Sequence, residues 1–261
     1  MADFEQLSLT RDAAVATITV NRPRVLNALD APTLHELARA VDGLRADASV
    51  RAVVVTGAGE KAFSAGADIA AMAAMSAAEG HAYSRLGHEV MACLEALAVP
   101  VVGAVNGVAL GGGFELALAC DLLVASARAR FGLPEITLGL IPGFGGTQRL
   151  VARVGQARAR ELIYSGRVFG AEEAERFGLV TRVVAPEEVA GAAAALAAEL
   201  AGRAPVALQA AKRATAVARD ADLDTGCRYE VEAFGVTFAS EDRVEGLRAF
   251  LDKRAPVWKG R

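Results

Sequence analysis

Cysteine and histidine are scarce in this chain of 261 residues, which contains three of each. Cys93, Cys120 and Cys227 are far apart in the sequence, odd in number and without a nearby histidine. The pattern therefore predicts neither a disulfide framework nor a zinc site. All three histidines fall in stretches that are predicted to be helical, so neither a histidine-based catalytic triad nor a metal centre is expected.

Clustered positive charge is also lacking. The formal net charge is −3 and the basic residues are scattered, so no surface typical of phosphate-backbone binding is predicted. Glycine, asparagine or charge interrupts every apolar stretch before it could cross a bilayer, and the segment Met1–Thr10 carries acids and no apolar signal region. We therefore expect a cytoplasmic protein that partners neither nucleic acid nor membrane.

Apolar residues, in contrast, are abundant at 53%, with 23% charged, which provides for a large core and argues against intrinsic disorder. Alternation over residues 13–20 predicts a strand, and the apolar run over 51–56 predicts a more buried one. A helix is expected to start between them, at Asp30. Further strands over 101–105 and 121–125, separated by helices, indicate an α/β fold with a parallel sheet.

The chain after Gly145 is predicted to be nearly all helical, apart from one short strand near 179–184. The predicted helices cover residues 156–165, 186–202, 205–219, 223–239 and 242–254. The carboxy-terminal third is therefore expected to form a helical layer.

Three glycine-bearing segments follow predicted strands, over residues 63–69, 109–115 and 141–146. Turns at strand ends are the simplest explanation, because glycine is the usual residue wherever φ must be positive. The run Gly111-Gly112-Gly113, however, lies where a loop gives way to a helix, so free backbone N–H groups and the positive end of the helix dipole converge. That geometry is typical of an oxyanion hole, which stabilises an enolate oxygen by several kcal/mol.

Two glutamates stand in apolar, glycine-rich surroundings. Glu115 lies just inside the helix that starts at Gly112, and Glu135 follows in the segment 131–136. Either one alone is explained equally well as a charge on a solvated face. Together they could hold a water molecule and divide the roles of acid and base.

A competing motif lies in the segment 53–62, whose Gly57-Ala-Gly59 follows a strand and resembles a dinucleotide-binding fingerprint. That fingerprint requires an acidic residue at the end of a strand about twenty residues later. Residues 68–97 are predicted to be helical instead, which disfavours a dinucleotide site.

Four blocks of the sequence together resemble the crotonases, the enoyl-CoA hydratase/isomerase superfamily, and the resemblance runs from about residue 21 to residue 259. The blocks are Asn21–Leu29, Lys61–Ile69, Asn106–Ala117 and Pro134–Leu150. The resemblance implies a crotonase-like α/β spiral of ββα units over residues 1–200. It also implies a helical region over 201–261 for oligomerisation and for covering the active site, in a homotrimer or a homohexamer of two trimers.

The resemblance also implies a reaction. The backbone N–H groups of Ala67 and Gly112 would form the oxyanion hole, Glu115 would act mainly as base on the water, and Glu135 would deliver a proton to Cα. The N–H of Gly143 would lie near the water. Isomerases of the family more often keep one glutamate of this pair, so the pair favours hydration of an enoyl-CoA, in fatty-acid metabolism and β-oxidation.

Coenzyme A is part of the substrate in this interpretation, so no separate cofactor is expected. By the resemblance, cations lie near its phosphates and adenine, a loop follows its adenine and pantetheine, and two residues near the carboxy terminus reach a nucleotide in the same or a neighbouring subunit. The cations are Arg24 and Lys61, with Leu26 as a further binding residue beside Arg24. The loop residues are Ala65, Gly66, Asp68 and Ile69, and the residues near the carboxy terminus are Phe250 and Lys253. Each cation taken alone could equally be a surface charge.

Leu133 departs from the family pattern, because well-known hydratases carry a polar amide two residues before the second glutamate. This departure leaves the substrate and rate open rather than the reaction class.

Two other functions stay open from the residues: Δ3,Δ2-enoyl-CoA isomerisation, and hydration of a specialised branched or aromatic acyl-CoA. An RNA-binding role, known for some relatives with a lysine-rich helix, is disfavoured because the first helix has only Arg39 and Arg45 against Glu36 and Asp42.

Overall fold

The computed structural model describes residues 4–261. Residues 1–3, which belong to the segment Met1–Thr10 and to the region predicted over 1–200, lie outside the described residues. Ten strands occur within the described chain: β1 Leu7–Asp12, β2 Val15–Val20, β3 Ala52–Gly57, β4 Ala62–Ser64, β5 Val101–Val105, β6 Val108–Leu110, β7 Leu122–Ser126, β8 Arg130–Gly132, β9 Phe169–Gly170 and β10 Arg182–Val184.

Ten α-helices accompany these strands within residues 4–261. They are α1 Ala31–Ala46, α2 Ile69–Met72, α3 Ala77–Glu95, α4 Gly112–Leu118, α5 Gly146–Ser165, α6 Ala171–Arg176, α7 Val189–Ala201, α8 Pro205–Val217, α9 Leu223–Phe238 and α10 Glu241–Leu251. Three short 3₁₀ helices cover Pro23–Val25, Pro134–Leu138 and Pro186–Glu188.

The strands form two sheets. The larger has the order β1-β2-β3-β5-β7-β10, in which only β1 runs antiparallel to its neighbour, and the smaller has the order β4-β6-β8-β9. The pairs β3–β4, β5–β6 and β7–β8 each place their first strand in the larger sheet and their second in the smaller, and helical structure follows each pair. This repetition is the predicted spiral of ββα units.

The smaller sheet determines where the site forms. Strands β4, β6 and β8 are parallel neighbours, so their carboxyl ends lie at one edge. The segments that follow these strands are 65–68, 111–112 and 133–135. Residues of two predicted glycine-bearing segments and Glu135 therefore come together at this edge of the sheet. Phe63, Phe114 and Phe131 are fully buried around this sheet, each worth about 1.5–3 kcal/mol of burial, and fix its strands.

Local sequence explains the two long helices beside the site. Oδ1 of Asp30 accepts a hydrogen bond of 2.9 Å from the N–H of Thr33, so α1 begins where the sequence predicts. Ser76 and Glu79 form a capping box at the start of α3. Both helices direct leucine, valine or methionine side chains into the core, and they pack against each other.

Some elements differ from the sequence-based expectation. Strand β1 was not predicted. The first strand that was predicted corresponds to β2, which begins at Val15 rather than at residue 13. Helix α5 begins at Gly146, ten residues before the predicted start at 156, and bends at Gly155, where φ is 75°. Helices α8, α9 and α10 occupy the predicted helical region over 201–261, although the division of the chain at residue 200 stays a prediction.

Candidate active site

A mostly apolar cavity of about 290 Å³ opens at the edge where β4, β6 and β8 end. It is lined by Ala65, Ala67, Ile69, Met72, Gly80, Tyr83, Ser84, Gly111, Gly112, Glu115, Pro134, Glu135, Leu138, Leu140, Ile141, Gly143 and Phe144. All five residues predicted to act in catalysis are in this set. An apolar cavity with a few convergent polar groups is typical of a small-molecule site.

The N–H groups of Ala67 and Gly112 lie side by side in this cavity. A Cβ at position 112 would stand 3.4 Å from the nitrogen of Ala67, and one at Gly66 would stand 3.2 Å from the nitrogen of Gly112. Gly112 is the first residue of α4, where backbone N–H groups have no partner within the helix. Within residues 4–261 neither N–H donates a hydrogen bond to the protein, so both are available to one ligand oxygen.

Gly111 lets the second glutamate approach the backbone. Its φ of 49° and ψ of −128° are accessible only to glycine, and a Cβ there would lie 2.8 Å from Oε1 of Glu135. Oε2 of Glu135 is buried and has no hydrogen-bond partner among residues 4–261. A buried carboxyl oxygen without a donor favours the neutral acid.

Glu115 is held by the segment that starts α5. Its Oε1 accepts hydrogen bonds of 2.8 Å from the N–H of Phe144 and 2.6 Å from the N–H of Gly146. Oε2 has no hydrogen-bond partner within the described chain and remains for the cavity. A Cβ at Gly146 would stand 3.0 Å from Glu115 Oε1, a tight contact, so this close approach favours a glycine.

Burial governs the protonation of both glutamates. It raises the pKa of Glu115 from 4.5 to about 7, and the charge of Glu135 acts in the same direction. The N–H groups of Gly146 and Phe144 and the charge of Arg149 oppose that rise. Burial also raises the pKa of Glu135. Two carboxyls shifted towards neutral pH are suited to exchange protons with a substrate.

A second cavity, of about 470 Å³, brings together three of the residues predicted to bind coenzyme A. Arg24, Leu26 and Lys61 line it. Asn27 holds the wall between them, because its Nδ2 donates to the carbonyls of Ala58 at 3.0 Å and Ala62 at 2.8 Å. The predicted cations are therefore neighbours in space although 37 positions separate them in the sequence.

Four of the predicted binding residues line neither cavity. The Gly66 carbonyl accepts a hydrogen bond from Leu29, and the Asp68 carboxylate caps α2 and pairs with Arg22 at 3.4 Å. Phe250 is 81% exposed on α10, and Lys253 follows that helix with a φ of 55°. A role for Phe250 and Lys253 at this chain's own cavities has no support from their location, so their predicted role depends on a neighbouring subunit.

Leu133 is buried beside the glutamates, and its side chain lies 3.1 Å from where a Cβ at Gly146 would stand. It therefore packs against the start of α5 and offers no hydrogen bond to the orphaned oxygen of Glu135. Its effect on rate stays a prediction.

The donors to Glu115 were not predicted from the sequence, where the N–H of Gly143 was expected near the water instead. Gly143 lines the cavity, and its carbonyl accepts a hydrogen bond of 2.6 Å from Oγ of Ser84. The N–H groups that hold Glu115 belong to Phe144 and Gly146, in the same glycine-bearing segment. The recurrence of glycine over 143–146 was the available signal, but the partner lies about thirty positions earlier in the chain.

Two other features of the described chain bear on its class. Within residues 4–261, no group of three or more histidine, cysteine, aspartate or glutamate side chains could hold a metal ion. Over the same residues no single helix is long and apolar enough to cross a membrane, although the pair Pro186–Ala201 and Pro205–Val217 passes by length and composition, bent by 108°.

Comparison with known proteins places this geometry in a family. The profile of the family described as enoyl-CoA hydratase/isomerase matches residues 10–261. A short-chain-enoyl-CoA hydratase of Clostridium acetobutylicum is 45% identical over 252 residues, covering 97% of each chain. A crotonyl-CoA hydratase of Syntrophomonas wolfei is 43% identical and covers 96% of each chain.

A solved structure supports the same assignment. The enoyl-CoA hydratase of Bacillus anthracis superposes with a TM-score of 0.96 at 41% identity, covering 98% of this chain and all of that one. The crotonase-like fold predicted from the sequence is thereby confirmed. The chain belongs to the enoyl-CoA hydratase/isomerase family.

Proposed function

We propose that the protein is an enoyl-CoA hydratase, which adds water reversibly across the double bond of a trans-2-enoyl-CoA to give a 3-hydroxyacyl-CoA. One observation carries the proposal: Glu115 and Glu135 line the same cavity as the adjacent N–H groups of Ala67 and Gly112. An isomerase needs one base to move a proton, whereas hydration needs groups that act on both water and Cα.

The oxyanion site performs the first task. The thioester carbonyl oxygen accepts hydrogen bonds from the N–H groups of Ala67 and Gly112, and negative charge accumulates there as water attacks Cβ. The donors are fixed by β4, by β6 and by the start of α4, so they need no reorganisation as the charge develops. The N-terminal end of α4 adds a favourable dipole.

The glutamates perform the second task. Oε2 of Glu115 takes a proton from the water while the water oxygen bonds to Cβ, and the electron pair of the double bond moves into the enolate. Glu135, whose burial raises its pKa and favours the protonated form, gives its proton to Cα as the enolate collapses to the thioester. Return of the proton from Glu115 to Glu135 through the next water restores the starting state.

Coenzyme A is part of the substrate in this proposal, and no further cofactor is proposed. We assign its phosphates and adenine to Arg24 and Lys61 at the second cavity, and its pantetheine to the backbone over 65–69. Phosphate oxygens are favourable partners for two neighbouring cations. Binding energy at this remote end positions the acyl group at the glutamates.

We also infer a homo-oligomer, a trimer or a hexamer of two trimers. Helices α9 and α10 expose large apolar side chains, among them Phe234 at 63%, Phe250 at 81% and Leu251 at 78%, which is more than an isolated chain usually leaves in water. Phe250 and Lys253 would then contact a nucleotide bound to a neighbouring subunit. Trp258, near the carboxy terminus, packs near Gly246 and donates through Nε1 to the carbonyl of Gly202.

A cytoplasmic location, a role in β-oxidation and the absence of nucleic-acid or membrane partners complete the proposal. Three unpaired cysteines suit a reducing compartment. The names of the two relatives favour short-chain enoyl-CoAs as substrates.

The test is a comparison of two reactions across chain lengths. Hydration of trans-2-enoyl-CoAs from four to sixteen carbons is followed by loss of the conjugated absorbance, and double-bond migration is followed with 3-enoyl-CoAs. Hydration of the four-carbon substrate that exceeds migration by orders of magnitude supports the proposal. Migration that exceeds hydration at every length overturns it in favour of an isomerase.

A further inference from the structure

The segment that holds Glu115 is itself held from behind by an ion pair that no catalytic role includes. Nη1 of Arg149 donates a hydrogen bond of 2.8 Å to the carbonyl of Phe144. The same guanidinium forms a two-pronged pair with Glu95, through Nε at 2.9 Å and Nη2 at 2.6 Å. Arg149 is on the first turn of α5 and Glu95 is the last residue of α3.

The position of that carbonyl makes the contact specific. The N–H of Phe144 and the N–H of Gly146 both donate to Oε1 of Glu115, and the carbonyl of Phe144 belongs to the peptide unit between them. A displacement of this middle peptide would move the chain on which both donors stand. Arg149 therefore holds the peptide that connects the two donors.

The local sequence is arranged to admit this guanidinium. Gly145 has a φ of 103°, and a Cβ there would stand 2.1 Å from Nη1 of Arg149. Glycine is thus required at position 145 both for its conformation and for the space that the arginine fills. The side chains of Arg149 and Glu95 are 11% and 27% exposed, so solvent competes little with the pair.

We propose that Arg149, anchored by Glu95, is the positioning residue for the catalytic base Glu115. The inference rests on the proposed hydration, and it extends the functional machinery to two residues that do not line the active-site cavity. A planar guanidinium suits this task because it can bind both oxygens of Glu95 and still direct a third N–H at the Phe144 carbonyl. Lysine offers a single ammonium and cannot reproduce that fork.

Several charged groups surround this pair. Arg153, Asp121, Lys212 and Arg219 line a cavity of about 410 Å³ together with Arg149 and Glu95. Nη1 of Arg219 also reaches Glu95 at 3.2 Å, and a Cβ at Gly145 would stand 3.5 Å from Cε1 of His88. On the other side Glu115 faces Glu135, and the charges of Glu135 and Arg149 are the ones that shift its pKa.

The experiment compares the pH dependence of kcat and KM for hydration in the wild-type oligomer and in Arg149→Met. We expect kcat to fall roughly 10- to 100-fold, as for a misplaced catalytic group, with KM within a few fold. We also expect the pH optimum to move to higher pH, because the variant loses a positive charge and disturbs two donors that favour ionised Glu115. Arg149→Lys should show the same changes in smaller degree, and Glu95→Gln should lower kcat because Arg149 loses its anchor.

Arg153→Met is the matched control. Arg153 lies one helical turn later on α5 and donates to the carbonyls of Leu118 and Cys120, away from the segment that binds Glu115. We expect it to lower the melting temperature but leave the pH optimum in place. If Arg149→Met does not fold, Arg149→Lys and Glu95→Gln carry the test.

The outcomes separate this inference from the proposed function. A folded Arg149→Met protein with unchanged kcat and an unchanged pH optimum overturns the positioning role, and so does an equal displacement of the optimum in Arg153→Met. A wild-type protein without hydratase activity would instead remove the proposed function on which the inference rests.

Discussion

The backbone N–H of Gly146 donates a hydrogen bond of 2.6 Å to Oε1 of Glu115, joining residues 31 positions apart in the chain. Together with the N–H of Phe144 it occupies one oxygen of the carboxylate and leaves the other for the cavity. The carboxylate is therefore oriented by backbone donors rather than by side chains.

The first prediction concerns the backbone donor at Gly112. Gly112→Pro deletes that N–H, and losing one oxyanion-hole donor should lower kcat roughly 10²- to 10³-fold, about 3–4 kcal/mol. Because residue 112 is the first of α4, proline is compatible with the helix itself. Steady-state kinetics on an enoyl-CoA, with circular dichroism to verify folding, measures the effect.

Gly112→Ala is the control for crowding, because its Cβ meets the ring of Phe144 at 2.9 Å while the N–H remains. A larger loss in the proline variant than in the alanine variant isolates the donor. Equal losses in two folded variants would mean that crowding, not the missing N–H, limits the reaction.

The second prediction is a bell-shaped dependence of kcat/KM on pH. The proposed roles require ionised Glu115 and protonated Glu135, so the rate should rise with pH as the pair loses its first proton and fall as it loses its second. The two limbs report apparent pKa values of the coupled pair. Initial rates between pH 5 and 10 test this, and a rate independent of pH across that range would be incompatible with the assigned roles.

The third prediction links the same burial to stability. The pKa of Glu115 is higher in the folded protein, at about 7, than its ordinary 4.5, so the stability it contributes is present at acidic pH and is lost as pH rises through 7. Glu115→Gln removes this titration. Its free energy of unfolding relative to wild type should therefore increase between pH 5 and 8, by at most about 3 kcal/mol.

Urea unfolding of both proteins at several pH values measures this difference. Gln can still accept the hydrogen bonds from Phe144 and Gly146 through its amide oxygen, so the comparison isolates the charge. A stability difference that stays constant from pH 5 to 8 would exclude an elevated pKa for Glu115.

The fourth prediction concerns assembly. Helices α9 and α10 expose Phe234, Phe250 and Leu251, so wild-type protein should sediment as a trimer or a hexamer at micromolar concentration. Phe250→Asp should shift the distribution towards smaller species, because a charge buried in an interface is costly. A wild-type protein that sediments only as a monomer would remove the proposed contact of Phe250 and Lys253 with a neighbouring nucleotide.

Sequence predicted the components of the site better than their connections. Glu115, Glu135, Ala67 and Gly112 meet in one cavity as expected, because β4, β6 and β8 are parallel and end together. These strands are three residues long, too short for alternation to reveal them. The start of α5 was also missed, because Gly145, Gly146 and Gly155 are typical of loops.

The missed contacts have a common physical reason. The hydrogen bonds from Phe144 and Gly146 to Glu115, and the pair of Arg149 with Glu95, join positions 29 to 54 apart and depend on how α3, α4 and α5 pack. Local patterns carry no information on such pairs. Likewise, the exposure of Phe250 was foreseeable from composition, but the subunit that its side chain contacts was not.

The central claim is that Glu115 and Glu135 together carry out hydration, and the most direct measurement is the kcat of Glu115→Gln and Glu135→Gln on a trans-2-enoyl-CoA, with affinity for a non-reactive acyl-CoA measured alongside. We predict that each variant loses roughly 10²- to 10⁴-fold in kcat, since each removes a proton-transferring group. Acyl-CoA affinity should stay within a few fold, because most binding energy comes from the remote nucleotide. Near-normal turnover in either folded variant would contradict the account, and a loss confined to one of them would favour the isomerase.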